Sequence, residues 1–396
     1  MTVTFSQAEE EGDAGSPGVL SHGMGKTLEE AVWPEISDDE VERVLQAFSQ
    51  IGKLEAILWR SPRPFSAAAR IRTRKGFFFV KRHHARLRSP TDLREEHRLN
   101  SYLRSKGGAV VPVLASREGE TVFSDRCWNY EIHGLGEGID VYQDRQSWTP
   151  FLHVDHASAA GKALAQMHHL LLDYDAPARS TRLLIANDRL LRSSDPLSAL
   201  EEDLAARPAL AAFLGTKPWR NDLWEHVLQP YHTQARAALI AAPPLWSHGD
   251  WHGSNLLWSS EHERGTVSTI LDFGLSDRTS ALFDLGTAIE RSLIPWLDLE
   301  GGEPVCNLDQ LEVFLRGYSS IAPLSSSFLH ALAAVLPGIH MDFALSEIEY
   351  FSGLLDHRDY ATLAYETYLL SHADWFSRAE GQRLLRHLYH LARQAE

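Results

Sequence analysis

The spacing of hydrophobic and polar residues first separates an N-terminal stretch from the rest of the chain. Residues 1–38 are rich in Glu, Asp, Gly and Ser and have little apolar periodicity, which predicts a disordered acidic tail. At Ser37 a capping residue and first-turn acids precede apolar residues at helical spacing, beginning with Val41 and Val44. A short helix is therefore predicted to open the folded part.

The following segment has mostly the spacing of β-strands. Six short apolar or β-branched runs are bounded by turn residues such as Gly and Pro. The runs are residues 54–59, 67–73, 77–81, 110–114, 120–124 and 129–133. Residues 91–103 interrupt them with a helical pattern. Residues 39–131 are therefore predicted to form a small N-terminal lobe built on an antiparallel β-sheet.

Beyond a glycine-rich crossing at residues 134–138 the pattern becomes mostly helical. Apolar residues recur at helical spacing over residues 157–172 and in most of the chain after residue 198. Residues 246–272 are the exception, because they contain two short β runs within the helical part. Residues 132–396 are therefore predicted to form a larger, mostly helical lobe, and the fold class is α+β.

Composition narrows the cellular context. The chain has 396 residues and a net charge of −15, which argues against a nucleic-acid partner because nucleic-acid binding depends on excess positive charge. Two distant cysteines provide no disulfide framework, as expected of a reducing compartment. The sequence has no signal peptide pattern, and no run of 18 apolar residues predicts a membrane span. A cytoplasmic protein without a membrane partner is predicted.

The most informative stretch runs from His248 to Asn255 and is followed by Asp272 in an Asp-Phe-Gly tripeptide. Phosphoryl transfer to a hydroxyl group needs a carboxylate that faces the hydroxyl, ligands for Mg²⁺ and a lysine that orients the phosphates. Asp250 fits the first role, and Asn255 and Asp272 fit the second because Mg²⁺ prefers oxygen ligands. The order and spacing of these residues are those of a kinase catalytic loop.

A rival interpretation treats His248, Asp250 and His252 as metal ligands at alternate positions, as in metal hydrolases. Asp272 and its two neighbours alone could also be a strand that ends in a turn. The hydrolase interpretation leaves Asn255, Asp272 and the β-rich lobe without a role, so the kinase interpretation is preferred.

These motifs resemble those of the aminoglycoside phosphotransferase and choline kinase group, which carries His-Gly-Asp in the catalytic loop. The resemblance implies a protein-kinase-like two-lobe fold, with a small antiparallel β N-lobe and a larger, mostly helical C-lobe, and it implies ATP and Mg²⁺ as cofactors. It places Asp250 and His248 in the catalytic loop. Asp250 would be the catalytic carboxylate, and His248 and Asp284 would support the loop. Asn255 and Asp272 become the metal ligands.

The β-rich lobe contains the candidate nucleotide-binding residues. Lys81 ends an apolar strand where kinases place the lysine that contacts the phosphates, and Glu96 on the next helix is its expected acidic partner, with Glu95 as the alternative. The hinge that would bind adenine through its backbone is predicted at Glu131 and His133. Residues 60–66 lack the glycines of a protein-kinase phosphate loop.

The predicted activity is ATP-dependent transfer of the γ-phosphate to a hydroxyl of a small molecule: an amino sugar, an amino alcohol or a hydroxy amino acid. A helix face with Asp342, Ser346 and Glu349 could hold a cationic amine, although a solvated acidic helix has the same pattern. A protein Ser/Thr kinase and a catalytically silent nucleotide-binding scaffold remain alternatives. The sequence leaves the oligomeric state and the acceptor open.

Overall fold

The computed structural model describes residues 33–61, 67–262, 264–297 and 302–395, together with the backbone of two short strands near the N-terminus. These two strands, β1 (Leu20–His22) and β2 (Leu28–Glu30), pair antiparallel. Most of the predicted tail, residues 1–38, lies outside the described residues. Where residues 33–37 are described they belong to the folded lobe, because the Trp33 ring stacks on His84 at 5.4 Å and Ile36 is buried.

The N-terminal lobe is built on a five-stranded antiparallel sheet, as predicted. Its strands are β3 (Leu54–Arg60), β4 (Ala67–Thr73), β5 (Gly76–His84), β6 (Phe123–Asp125) and β7 (Trp128–Gly134), in the order β3-β4-β5-β7-β6. Residues 110–114 do not form the predicted strand and make only isolated bridges at Val110 and Val113, since Pro112 between them has no backbone N–H. β7 extends three residues past the predicted lobe boundary at residue 131.

Two helices complete this lobe, and their caps follow from the sequence. α1 (Asp38–Ala47) begins with a capping box between Ser37 and Glu40, and α2 (Pro90–Ser105) begins with one between Ser89 and Asp92. The apolar face of α1 packs with one side of the sheet in a separate core. α2 carries Glu96 and His97 on its buried face.

The C-terminal lobe is mostly helical, as predicted. Its helices are α3 (Val154–Leu170), α4 (Arg189–Arg192), α5 (Pro196–Leu204), α6 (Pro208–Leu214), α7 (Trp219–Leu223), α8 (Thr233–Ala241), α9 (Ala281–Leu293), α10 (Leu308–Ser319), α11 (Ser326–Val335), α12 (Met341–Glu349), α13 (Arg358–Leu363), α14 (His372–Trp375) and α15 (Ala379–Gln394). π-Helical segments extend or join these helices at Trp224–His232, Tyr350–Leu354 and Ala364–Ser371. Short 3₁₀ turns lie at Gly253–Asn255 and Leu336–Gly338 in this lobe, and at Ser49–Ile51 after α1 in the N-terminal lobe.

Four short strands interrupt the helices and present the predicted motif. They are β8 (Pro244–Trp246), β9 (Leu256–Trp258), β10 (Val267–Ile270) and β11 (Arg278–Ser280). β9 pairs with β10 and β8 pairs with β11, so the catalytic-loop segment and the Asp-Phe-Gly segment leave the same small β region side by side. α9 follows directly, and nearly all of its residues are buried.

One helical stretch passes the length and hydropathy test for a membrane span, although the sequence patterns predicted none. Residues 326–354 form a continuous helical run with a mean hydropathy of 1.5 in its most apolar window. In the structure 78% of that window is buried among the other helices. The stretch is therefore a core element of the helical lobe.

A buried ion pair joins α1 to the sheet. Glu40 accepts a hydrogen bond from Arg82 Nη1 at 2.7 Å and one from the Tyr130 hydroxyl at 2.7 Å, and the Arg82 guanidinium lies 4.1 Å from the centre of the Trp128 ring. Burial alone would raise the pKa of Glu40, but its hydrogen bonds and Arg82 outweigh burial and lower that pKa to about 2. Glu40 is therefore ionised at neutral pH.

We expect Glu40→Gln to lower the free energy of unfolding at pH 7 by about 3 kcal/mol, because it leaves the Arg82 guanidinium buried without a carboxylate. Glu42→Gln, on the exposed side of the same helix, is the matched control and should change it by less than about 0.5 kcal/mol. Thermal unfolding followed by circular dichroism measures both. Equal melting temperatures for the two variants would show that the pair does not stabilise the lobe.

Candidate active site

A buried carboxylate, Asp284 in the first turn of α9, organises the catalytic loop. Its two oxygens accept the backbone N–H of His248 at 2.7 Å and of Gly249 at 2.9 Å, and His168 Nε2 lies 2.9 Å away. Burial alone would raise the pKa of Asp284, but His168, His248 and the backbone donors lower it, so the group is an anion. The support role that the resemblance implied for Asp284 agrees with this geometry.

His248 holds the loop against the strand that leads to Asp272. Its Nδ1 accepts the backbone N–H of Asp250 at 3.2 Å, and its Nε2 donates to the Leu271 carbonyl at 2.9 Å. Both ring nitrogens are used inside the protein and the side chain is fully buried. His248, predicted as part of the catalytic loop with a supporting role, is a positioning residue in this geometry.

The same bonds argue against the metal-hydrolase interpretation. A metal ligand needs a free imidazole nitrogen, and His248 has none, since Asp250 and Leu271 occupy both. His252 Nε2 lies 3.1 Å from the Asn255 amide nitrogen and 3.4 Å from the Asp250 carboxylate. His248, Asp250 and His252 therefore form a hydrogen-bonded loop.

Gly249 cannot be replaced without moving the loop. Its φ of +74° lies in the left-handed region. An added Cβ would lie 2.6 Å from the Leu275 carbonyl oxygen and 2.9 Å from Ala186 Cβ. The glycine is therefore needed for both conformation and space, which explains the His-Gly-Asp order in physical terms.

Asp250 is held by three side-chain donors. Its Oδ1 accepts from Arg291 Nη1 at 2.5 Å and from Trp148 Nε1 at 3.0 Å, and its Oδ2 accepts from Asn255 Nδ2 at 3.0 Å. Burial alone would raise the pKa of Asp250, but His252, Arg291 and Trp148 outweigh it and hold that pKa well below its usual range. Asp250 is an anion fixed in one orientation.

Lys81 and Asp272 meet across the cleft between the lobes. Lys81 Nζ lies 3.1 Å from Asp272 Oδ2, and the Asp272 carboxylate is 38% exposed. Burial alone would lower the pKa of Lys81, but Asp272, Glu131 and Glu96 raise it; Lys81 in turn lowers the pKa of Asp272. The structure thus brings together Lys81, Asp272, Asn255 and Asp250, as the sequence predicted.

The predicted ion pair between Lys81 and Glu96 is not made. The nearest cation to Glu96 is Arg179, whose Nη2 lies 3.8 Å from Glu96 Oε2, and Asp272 takes Lys81 instead. Glu96 still faces inward and acts on Lys81 through its charge, whereas Glu95 is half-buried and acts mainly on Arg179 and Arg98. The helix register chosen from the sequence is therefore favoured over the alternative at Glu95.

The adenine hinge is not at Glu131 and His133. β7 pairs with β5 through Gly134 on one edge, and on the other edge Ile132 accepts from Leu114 N–H and Gly134 donates to the Pro112 carbonyl. Both edges of the strand are therefore occupied, and a hinge with usable backbone groups begins only after Gly134. Glu131 and His133 instead have buried side chains that meet His97.

Two buried arginines that sequence reasoning missed hold the Asp-Phe-Gly segment. Arg88 Nη2 donates to the Gly274 carbonyl at 2.9 Å, and Arg179 Nη2 donates to the Phe273 carbonyl at 3.0 Å. Asp272 itself has a φ of +57°, an uncommon conformation for a residue other than glycine. The arginines therefore fix the backbone that directs Asp272 into the cleft.

A small buried cavity lies next to Asp250 on the helical side. α9, α12 and the π-helical segment Ala364–Ser371 contribute most of its lining, which includes Glu290, Arg291, His340, Phe343 and Tyr368. The Arg291 guanidinium lies between the rings of Trp148 and Phe343, 4.5 Å from each centre. Arg291 follows Asp284 by seven residues on α9, a helical spacing that could have identified it; Trp148 has no such signal.

The acidic face proposed from the sequence does not line this cavity. Asp342 accepts the Leu190 backbone N–H at 3.2 Å, Ser346 donates to the Arg182 carbonyl at 3.1 Å, and Glu349 binds Arg207 Nε at 2.5 Å. These residues fasten α12 to its neighbours.

Glu347, on the same helix, is buried and interacts by charge with Arg291 and Glu290. Burial raises the pKa of Glu347 to about 8, and its Oε2 has no hydrogen-bond partner.

Comparison with known proteins identifies relatives. The sequence model of the Phosphotransferase enzyme family matches residues 65–324, about two thirds of the chain. Homoserine kinase of Parvibaculum lavamentivorans is 22% identical over 320 residues, which cover 80% of this chain and 87% of that protein.

Solved structures share the fold. An aminopropanol kinase associated with a microcompartment has a TM-score of 0.58 at 18% identity, covering 89% of this chain and 99% of that one. An aminoglycoside phosphotransferase from Alicyclobacillus acidocaldarius has a TM-score of 0.50 at 17% identity, covering 91% and 98%. An amicoumacin kinase in complex with AMP-PNP and Ca²⁺ has a TM-score of 0.51 at 13% identity, covering 81% and 92%. The predicted two-lobe α+β fold is confirmed.

We expect Gly249→Ala to destabilise the protein more than Gly107→Ala. Gly107 has a similar φ, +81°, but no atom within 4 Å of an added Cβ, so it measures the conformational cost alone, about 1–2 kcal/mol. At Gly249 the contacts with Leu275 and Ala186 should add about 1–3 kcal/mol. Urea unfolding compares the two variants, and equal losses would show that the loop relaxes freely around the extra methyl group.

Proposed function

The chain belongs to the Phosphotransferase enzyme family and is a small-molecule phosphotransferase, and we propose that it transfers the γ-phosphate of ATP to a hydroxyl of a small amine-bearing compound in the presence of Mg²⁺. The observation that carries the proposal is the convergence of Lys81, Asp272, Asn255 and Asp250 from three separate segments at the cleft: β5, the Asp-Phe-Gly segment and the catalytic loop. Lysine, oxygen ligands and a carboxylate are the parts that phosphoryl transfer requires.

The donor set fits magnesium and a nucleotide. Asn255 commits its amide nitrogen to Asp250, which leaves the amide oxygen as a ligand beside the Asp272 carboxylate. A bound Mg²⁺ would neutralise charge that develops on the phosphates. Lys81 would orient the phosphates, and the backbone of residues 135–138, beyond the end of β7, is the segment we assign to adenine. The complex of a relative with AMP-PNP and Ca²⁺ supports nucleotide use.

Asp250 acts by holding the acceptor hydroxyl in line rather than by strong proton abstraction. Its pKa lies well below the usual range, so it is a weak base, and a loose phosphoryl-transfer transition state needs little base strength until late in the reaction. An incoming hydroxyl has to replace one of the donors on Asp250 Oδ1. We assign it the place of Trp148, because Arg291 is enclosed between two rings and bound by charge.

The cavity beside Asp250 supports an amine as the second recognition group. Glu290, which lines the cavity, and Glu347, which lies outside its lining, are both about 1% exposed, and burial raises the pKa of both, that of Glu347 to about 8. When Glu347 ionises, it joins Glu290 and Asp250 as a carboxylate acting on Arg291 or its neighbours. A cationic amine would restore the balance. We favour an amino alcohol or a hydroxy amino acid over an amino sugar, because relatives are described as an aminopropanol kinase and a homoserine kinase.

We propose the cytoplasm as the location, because the span candidate is a buried core helix and the two cysteines are free. No nucleic-acid or membrane partner is proposed, given the net charge of −15.

An assay of ADP release tests the proposed activity. Purified protein is incubated with ATP and Mg²⁺ and screened against amino alcohols, hydroxy amino acids, amino sugars and a protein substrate. Transfer only to protein would favour a protein kinase, and no acceptor-dependent ADP release would favour a scaffold.

We expect Asp250→Asn to lower turnover by about 10²–10⁴-fold while MgATP binding stays within a few fold of wild type, because Asp250 faces the acceptor. Asp272→Asn is the matched comparison, since the same change at the metal ligand should abolish the extra thermal stabilisation that Mg²⁺ adds to ATP. Turnover assays and thermal-shift titrations with ATP and with MgATP measure both. Retained turnover in folded Asp250→Asn protein would contradict the mechanism.

At a pH above 8, where Glu347 is ionised, we expect Glu347→Gln to raise the KM for an amine-bearing acceptor by about 10–100-fold with a smaller change in kcat, because it removes a charged hydrogen-bond acceptor. The wild-type KM should fall as pH rises toward 8, where Glu347 ionises, and this dependence should disappear in the variant. Glu349→Gln, which breaks only the pair with Arg207, is the control. An unchanged KM in Glu347→Gln would place the amine elsewhere.

A further inference from the structure

Beside Lys81, on the sheet face that Lys81 shares with its cross-strand partner Glu131, a cluster of histidines surrounds this fully buried carboxylate in the N-terminal lobe. Glu131 Oε1 lies 3.1 Å from His83 Nε2, and Glu131 Oε2 lies 3.3 Å from His133 Nε2 and in close contact with His97 Nε2. His97 and His133 are 3% and 7% exposed. Among the described residues, His97, Glu131 and His133 are the only three such side chains whose ligand atoms all lie within 4.8 Å of one another.

Hydrogen bonding alone does not account for this cluster. His133 is buried and its Nδ1 has no hydrogen-bond partner, while its Nε2 faces the Glu131 carboxylate from 3.3 Å. An unsatisfied buried imidazole costs free energy unless something else binds it. His97, in contrast, has its Nδ1 fixed at 2.7 Å from the Thr121 hydroxyl, which leaves Nε2 directed at the same point as His133 Nε2. Metal-binding histidines are typically oriented by such an outer hydrogen bond.

We propose that His97, Glu131 and His133 bind a zinc ion, and a water molecule would complete a four-coordinate site. Zinc favours imidazole nitrogen and carboxylate oxygen in tetrahedral sites, where ligand atoms about 2.0–2.1 Å from the metal lie roughly 3.4 Å from each other. The separation of Glu131 Oε2 from His133 Nε2 already has that size, whereas His97 Nε2 lies closer to the same oxygen. A small outward movement of His97 would open the remaining space.

The site is separate from the magnesium ligands and has a structural role. Glu131 pairs with Lys81 in the β5–β7 ladder, and Asp272 lies beyond Lys81 in the cleft. The ion would join α2, which carries His97, to β7, which carries Glu131 and His133. Since Glu96 is the neighbour of His97 on α2, the ion would also fix the helix whose charge acts on Lys81.

The test starts with full-length protein produced without a polyhistidine tag. Elemental analysis should find about one equivalent of zinc, and metal-free protein should bind added Zn²⁺ with a rise in melting temperature. Co²⁺ in place of zinc should give visible absorption bands of four-coordinate intensity. Absence of stoichiometric zinc together with no Co²⁺ bands would overturn the proposal.

Variants locate the ion. His133→Gln and His97→Asn should abolish zinc binding, and Thr121→Val, which removes only the outer hydrogen bond, should weaken it by about 10–100-fold. His372→Gln is the matched control, because His372 is also 7% exposed and lies 3.3 Å from a buried glutamate, Glu290. It should bind zinc like wild type, as should Asp272→Asn.

Loss of zinc binding in Asp272→Asn would show that the ion binds at the nucleotide site instead. Unchanged zinc binding in Thr121→Val and His133→Gln would show that the ion binds outside this cluster, and either result overturns the proposal. If the histidine variants do not fold, the Co²⁺ spectrum of the wild-type protein and the zinc affinity of Thr121→Val still test whether the cluster binds the ion. These readouts do not depend on catalysis, so the site can fail while the proposed function stands.

Discussion

The carboxylate of Asp284 is the constraint on which the rest of the active site depends. It accepts two consecutive backbone N–H groups of the catalytic loop, and His168 continues the contact to the Tyr318 hydroxyl on α10. A buried anion that accepts several hydrogen bonds is costly to displace, because each donor would be left unsatisfied. One side chain thus ties helices α3, α9 and α10 to the backbone that presents Asp250.

Charge balance explains why the other site residues lie where they do. Lys81 is paired with Asp272 and Arg291 with Asp250, so each buried cation lies against the carboxylate that is proposed to act in the reaction. Buried ion pairs contribute little net stability, but they fix orientation, since breaking one exposes a charge to a nonpolar surrounding. These ion pairs therefore fix the geometry of the site, whereas Glu347 is buried with one carboxylate oxygen that has no hydrogen-bond partner.

The sequence determined the order of elements and the residues of the catalytic loop. Helical and strand periodicity predicted both lobes and the β runs around the loop, because side-chain spacing reflects burial directly. The joint spacing of Asp250, Asn255 and Asp272 predicted the site, since chemistry fixes which side chains must meet. Capping residues likewise predicted the start of α1.

Tertiary structure alone decided which partners these residues take. Lys81 pairs with Asp272, and Glu96 lies nearest to Arg179 instead. Residues 112–114 bond to the second edge of β7, so backbone groups free to bind adenine begin only after Gly134. Arg179 lies 83 residues from Glu96 in the chain, and Trp148 lies 102 residues from Asp250. Local pattern carries no information about such contacts, because competition among buried charges for partners is settled only when the whole chain has packed.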